Sequence, residues 1–164
     1  MPQVAWLMGS DSDFPKLEPG FKTLKELGIS VEGRVLSAHR TPDDTREFVA
    51  KSEAAGVKVF ICAAGVAAHL AGAVAAHTSR PVIGIPIASG SLDGLDALLS
   101  TVQMPPGVPV ATVAIDGAVN AAVLAAQIIG TGESAVAKKV IEWRAAQTAK
   151  VLEKDKKLQE KLKG

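Results

Sequence analysis

The side chains best suited to chemistry are His39 and Arg40, adjacent in Ser37-Ala38-His39-Arg40-Thr41-Pro42. An imidazole titrates near neutrality, so one histidine can deliver a proton and take it back within a single catalytic cycle. A guanidinium offers a planar fork of donors that fits the oxygens of a phosphate. The plainer alternative is an exposed histidine beside an arginine paired with Asp43 or Asp44. A second polar group precedes them in Gly9-Ser10-Asp11-Ser12-Asp13. Glycine there lets the backbone approach a ligand closely, Ser10 and Ser12 can donate to phosphate oxygens beside a helix N-terminus, and Asp13 can accept from ribose hydroxyls. Helix capping by Ser12 or Asp13 would account for one of these residues, not for a run of four polar ones. The run is not a P-loop, because no glycine-lysine-hydroxyl ending follows it, and no G-x-G-x-x-G follows any expected strand.

His69 and His77 lie eight residues apart on one expected helix, too far along its axis to share a metal ion. No carboxylate is near them in sequence, and no metal site is expected. His77 is expected in a packed core or an interface, while His69 opens its helix toward the same crevice as His39. Cys62 is expected to fill the core as a small apolar residue. No serine-centred elbow or catalytic-cysteine signature is present.

Holding such groups in place requires a rigid frame, and the chain alternates between two kinds of segment. Near-continuous apolar blocks of strand length occupy residues 4–8, 57–63, 82–87 and 110–115, as expected for a parallel sheet covered on both faces. Residues 29–36, interrupted by Glu32, Gly33 and Arg34, suit an edge strand. Helical periodicity fills the gaps. Leu17, Phe21, Leu24 and Leu27 form one stripe, closed by Gly28. Thr41-Pro42-Asp43-Asp44 predicts a helix start with a Thr41 hydroxyl cap, and that helix should run to Ala55. Further helices are predicted over 67–77, 93–102 and 118–129. The pattern is that of an α/β, doubly wound three-layer sandwich around a five-stranded parallel sheet.

Loops leading into the strands are plain punctuation, whereas the loops leaving them hold the polar residues. Beyond the two already described, they are Ala64-Gly65-Val66-Ala67-Ala68-His69, Ala88-Ser89-Gly90-Ser91 and Asp116-Gly117-Ala118-Val119-Asn120. With strand order 2-1-3-4-5 the first three exits are neighbours, and a ligand is expected there.

Length and composition bound the rest. A chain of 164 residues with 48% hydrophobic content can bury about 70% of its unfolded surface and needs no disulfide or metal to hold it together. Eighteen basic against seventeen acidic residues leave a formal charge of +1, which gives no footprint for nucleic acid or an anionic membrane. A single cysteine favours a reducing compartment. With no Tyr and few other aromatics, ring stacking is not expected to dominate ligand binding. Residues 59–79 carry no charge, but their glycines, histidines and many alanines read as strand, turn and buried helix, not as a membrane span. No signal sequence is expected at the N-terminus, and the protein reads as cytoplasmic.

One domain is expected over 1–164, with an α/β core over 1–130 and a helical arm over 132–164. In the arm Val136, Val140, Trp143, Val151, Leu158 and Leu162 recur at spacings of mostly three, four or seven among Lys, Glu and Gln. Two readings stay open: a helix packed on its own sheet that frays at its Lys-rich end, or an arm reaching a neighbouring subunit.

Taken in order, Met8-Gly9-Ser10-Asp11-Ser12-Asp13, Ser37-Ala38-His39-Arg40-Thr41-Pro42, Ala67-Ala68-His69-Leu70, Val102-Gln103-Met104-Pro105 and Asn120-Ala121-Ala122 resemble the N(5)-carboxyaminoimidazole ribonucleotide mutases of purine biosynthesis. The resemblance spans almost the whole chain. It implies a flavodoxin-like fold, a homo-octamer with C-terminal helices crossing between subunits, and a reaction that needs no ATP, biotin, metal or other cofactor. The substrate would be an aminoimidazole ribonucleotide whose carboxylate moves from the exocyclic nitrogen to the neighbouring ring carbon by way of carbon dioxide. His39 would be the acid and base. Arg40, Ser37 and Ser12 would hold the phosphate, and Ser10 and Asp13 the ribose and the first loop. Gly65 and the alanine-rich turn after it would wall in carbon dioxide, with His69 also contacting substrate. Relatives of this type usually have a glycine-richer third loop and a proline after the His-Leu pair, where this chain has Ala63, Val66 and Ala71. A β-branched residue does not comfortably take positive φ, so at Val66 either the turn differs or positive φ was never needed. Within the family the competing activity is direct carboxylation of aminoimidazole ribonucleotide by carbon dioxide. Outside enzymes, the competing reading is a flavodoxin-like phosphate- or nucleotide-binding module.

Overall fold

The computed structural model describes residues 1–163; Gly164, the last residue of the expected arm, lies outside them. Five parallel strands stand in the order β2-β1-β3-β4-β5: β1 (Val4–Met8), β2 (Val31–Val35), β3 (Val59–Gly65), β4 (Val82–Ile87) and β5 (Ala111–Thr112). Helices α1 (Phe14–Glu26) and α5 (Ala118–Gly130) cover one face; α2 (Pro42–Ala54), α3 (Leu70–Ala75) and α4 (Leu95–Val102) cover the other. The long α6 (Ser134–Lys163) follows. This is the doubly wound, flavodoxin-like α/β sandwich.

Alternation along the strands shows why the apolar blocks are continuous. Val4, Trp6 and Met8 join Leu17, Leu24 and the alanines of α5 in one core, while Ala5 and Leu7 join Phe48, Val49, Leu70 and Val74 in the other. With both faces covered, no position in β1 can be polar. Strand β2, at the edge, is largely exposed and tolerates Glu32 and Arg34. Cys62 is buried in the second core, where desolvation pushes its thiol pKa up and leaves it inert.

Several expected boundaries move. Strand β3 begins two residues late and runs on to Gly65. Strand β5 is two residues long rather than spanning 110–115. Val113 and Asp116 still donate to the carbonyls of Gly84 and Pro86, at 3.1 and 2.8 Å, but Pro86 has no N–H to return toward this edge, so the ladder stops. Helix α3 covers Leu70–Ala75 instead of 67–77, which places His77 outside it. His77 is exposed and not in the core, because the chain has already turned out of the helix before reaching it. Thr41 is not a side-chain cap for α2; its hydroxyl is spent inside the preceding loop.

Helix α6 divides in two. Val136 and Val140 are buried against α5 and the sheet, and Trp143 donates its indole N–H to Glu26 at 3.1 Å. Beyond Trp143 none of the described residues is buried. The tight approach of α1 to α5 depends on Gly20. A β-carbon there would overlap Trp6 Cη2 and lie 2.6 Å from the carbonyl oxygen of Ala118, and backbone cannot step aside. Gly20→Ala is therefore expected to destabilise the fold by about 1–3 kcal/mol, despite alanine's better helix propensity. Chemical denaturation would show this as a lowered midpoint with unchanged slope.

Candidate active site

Parallel strands send all five exits to one edge, and four of those loops enclose a pocket of about 520 Å³. Its lining includes Ser10, Ser12, Asp13, Ser37, His39, Arg40, Gly65 and His69, so every residue the sequence offered for catalysis or substrate contact faces one cavity. Ser89, from the loop after β4, completes the wall.

The first loop starts where Gly9 donates to Ala63 O at 3.1 Å. Ser10 is extended, and its Oγ accepts from Ser12 N at 3.2 Å and lies 2.7 Å from Ser12 Oγ. Capping thus falls to Ser10, over the short 3-10 turn Asp11–Asp13, while Asp13 stands at the N-cap position of α1 without a side-chain cap bond. Neither Ser12 nor Asp13 is occupied by capping.

The second loop is tied into a knot by two hydroxyls. Ser37 Oγ accepts from the backbone of His39 and Arg40, at 3.3 and 3.2 Å. Thr41 Oγ1 accepts from Ser37 N at 2.9 Å and donates to Ser37 O at 3.2 Å. These bonds fix the His39-Arg40 peptide and leave the Ser37 hydroxyl hydrogen free to point at a ligand. The ion pair considered for Arg40 is absent among the described residues: Asp43 pairs instead with Arg46, at 3.7 Å. Arg40 is exposed at the pocket with no carboxylate partner among the described residues.

The third loop supplies a contact that spacing did not reveal. His39 Nε2 lies 2.8 Å from His69 Nδ1, with the rings edge to face at 81°. One nitrogen must carry the hydrogen and the other accept it, so the two tautomers are linked. The residues are thirty apart in sequence and meet only because β2 and β3 flank β1. Val66 adopts φ 54°, the left-handed region, so the reading in which this position needs no positive φ fails. Its side chain is 52% exposed, so the isopropyl group avoids steric conflict with the core, and Ala68 N closes the turn onto Val66 O at 2.9 Å. Gly65 meets a different constraint: any β-carbon there would overlap Ser89 Oγ.

The site shifts the ionisation of Asp13. Partial burial raises its carboxyl pKa, opposed by the Ser10 backbone and by Lys16, and reinforced by Asp116 and Asp11.

The family model described as AIR carboxylase matches residues 3–150. This chain belongs to the AIR carboxylase family. Among relatives, it is 49% identical over 160 residues to the N5-carboxyaminoimidazole ribonucleotide mutase of Thermotoga maritima, covering 98% of this chain and 94% of that one. The protein of the same name from Methanocaldococcus jannaschii is 51% identical, with 98% and 99% covered. Among solved structures, Treponema denticola PurE superposes with a TM-score of 0.87 at 33% identity, covering 96% of this chain and 99% of that one. The match to the family model spans every residue lining this pocket, and the solved relative shares the fold.

The raised Asp13 pKa has a consequence for stability. A carboxyl whose folded pKa lies above its unfolded value is held as the acid more tightly in the native state, so its ionised form lowers stability above the usual carboxylate range. That loss disappears as the pH falls below 3.8. Asp13→Asn should raise the Tm near neutral pH, with the gain shrinking as the pH is lowered toward 4; thermal melts across pH would show it.

Proposed function

We propose that this protein is an N5-carboxyaminoimidazole ribonucleotide mutase, an isomerase of purine biosynthesis that uses His39 as its acid and base. One observation carries the reading. An imidazole and an unpaired guanidinium share one pocket, in a chain about half identical over nearly its whole length to proteins of that name. Arg40, Ser12 and the free hydrogen of Ser37 hold the phosphate. Ser10 and Asp13 hold the ribose and the first loop. Gly65, with Ala64, Val66 and Ala67, walls in carbon dioxide, and a dry wall matters because escape of so small a molecule aborts the cycle.

In the first half-reaction the bond between the exocyclic nitrogen and the carboxylate carbon breaks. Its electron pair stays on nitrogen, which takes a proton from His39, and carbon dioxide is released. In the second, the neighbouring ring carbon attacks carbon dioxide, and His39 removes the proton from that carbon. His39 ends as it began, so the net change is an isomerisation that consumes no nucleotide. His69 holds the His39 ring at Nε2 and trades a hydrogen with it, besides contacting substrate. No cofactor enters these steps.

The core over 1–130 carries this site, and the arm over 132–164 serves assembly. Along α6, Ile141, Val151, Leu152, Leu158 and Leu162 are 52–72% exposed, which supports a homo-octamer whose arms cross between subunits. Sedimentation velocity should find the octamer in the full chain and a smaller species once residues 150–164 are deleted. None of the described helices is long and apolar enough to cross a membrane. A near-neutral charge supports a small-molecule substrate over nucleic acid, and the lone, buried Cys62 is compatible with the cytoplasm, which cell fractionation would check.

A paired assay without ATP tests the activity. N5-carboxyaminoimidazole ribonucleotide should yield product, while aminoimidazole ribonucleotide with dilute bicarbonate should not. Comparable product from the second would make the protein a direct carboxylase, and none from either would refute the reading. His39→Asn keeps a hydrogen-bonding side chain but cannot transfer protons, so turnover should fall on the order of 10²–10⁴-fold or more while ribonucleotide binding survives. Arg40→Ala should instead weaken binding, by about 1.5–3 kcal/mol, read by titration calorimetry.

A further inference from the structure

Beside the pocket, but outside its lining, the backbone of Ala88 is held at both its N–H and its carbonyl by charged side chains. Its N–H donates to Asp116 Oδ1 at 2.9 Å, and its carbonyl accepts from Lys16 Nζ at 2.6 Å. Lys16 Nζ lies 3.0 Å from Asp116 Oδ2, so three contacts close a ring between α1, the loop after β4 and the loop after β5. Asp116 is itself fixed: its backbone N–H donates to Pro86 O at 2.8 Å, and its φ of 56° is a left-handed conformation that few non-glycine residues adopt. Strained backbone of this kind persists only where the surroundings impose it.

The next residue, Ser89, is the one that packs on Gly65 in the pocket wall. Ser89 has little else to hold it, since among the described residues its Oγ reaches only Ile87 O, at 3.5 Å. We propose that Lys16 and Asp116 are positioning residues for the mutase. By clamping the Ala88 backbone they press Ser89 against Gly65 and keep the wall closed while carbon dioxide is free between the two half-reactions. This rests on the function proposed above. The pair is not chiefly a stabilising device: the two side chains are 39% and 33% exposed, and an ion pair so wetted contributes little to folding. Its effect is on the geometry of one loop.

Lys16→Met and Asp116→Ala test the clamp, with Asp116→Asn as the conservative variant that keeps an acceptor for Ala88 N. Each is given N5-carboxyaminoimidazole ribonucleotide in buffer containing isotopically labelled bicarbonate and its dissolved carbon dioxide. A leaking wall lets bound carbon dioxide escape, leaving aminoimidazole ribonucleotide, and admits labelled carbon dioxide in its place. The expected result is substrate consumption close to wild type, with label in the product and free aminoimidazole ribonucleotide both rising several-fold in Lys16→Met and Asp116→Ala. Asp116→Asn should recover part of the retention. Unchanged label and unchanged product yield in both disruptive variants would overturn the proposal, and so would an equal fall in all rates with no change in partition. Amide hydrogen exchange at Ala88 gives a readout independent of activity. Its protection should drop several-fold in Asp116→Ala, with the core strands unaffected, and unchanged protection would also overturn the clamp. Should the wild-type protein consume no substrate, the functional reading fails, and the clamp then stands or falls on the exchange at Ala88.

Discussion

Burial of both faces of an all-parallel sheet is the constraint on which the rest depends. Once helices cover Val4–Met8 and its neighbours from two sides, no polar side chain can project from the middle of a central strand without stranding its hydrogen-bonding groups. Chemistry is pushed to an edge, and parallel strands share only one edge where chain exits meet helix N-termini. Because β1 lies between β2 and β3, loops that are distant in sequence converge on a single pocket. The His39–His69 contact is the direct product: it exists because two strands flank a third, and it moves if their register moves.

That edge is also where the backbone is least comfortable. Among the described residues, Val66, Asp93 and Asp116 are the non-glycine residues with positive φ, and they follow β3, β4 and β5 in turn. Each is held by different means. Val66 keeps its side chain out in the pocket and closes a turn through its carbonyl. Asp93 precedes Gly94, which shares the left-handed conformation and leads into α4. Asp116 is anchored by backbone and carboxylate together. A buried parallel sheet is stiff enough to impose these geometries, which is how a wall of small side chains keeps a defined shape.

Polar loops in this protein hold themselves before they hold anything else. Ser10 caps a 3-10 turn, Ser37 and Thr41 lace the second loop, and the carboxylate of Asp116 ties down the fourth. A hydroxyl that accepts from the backbone still has its own hydrogen to donate, so one serine can both shape a loop and meet an anion. Structural and ligand-binding roles for such residues are therefore not alternatives.

Much of this was legible in the residues themselves. The continuous apolar blocks require a sheet covered on both faces, Glu32 and Arg34 mark the edge strand, and the polar runs after strands one and two mark the pocket. Such features are local: a strand's burial pattern and a loop's composition are set by neighbours in the chain. Tertiary structure decided the rest. It ended β5 early through Pro86 on the adjacent strand, ended α3 before His77, and took the Thr41 hydroxyl from α2 for use within its loop. It forced Val66 into a conformation its side chain disfavours, which no local preference foretells. Lys16 and Asp116 belong to no motif and are a hundred residues apart, so only the fold makes them partners. The sequence by itself determined which groups are available at the edge; packing and strand order decided which of them touch, because contact between distant residues depends on geometry that no single segment contains.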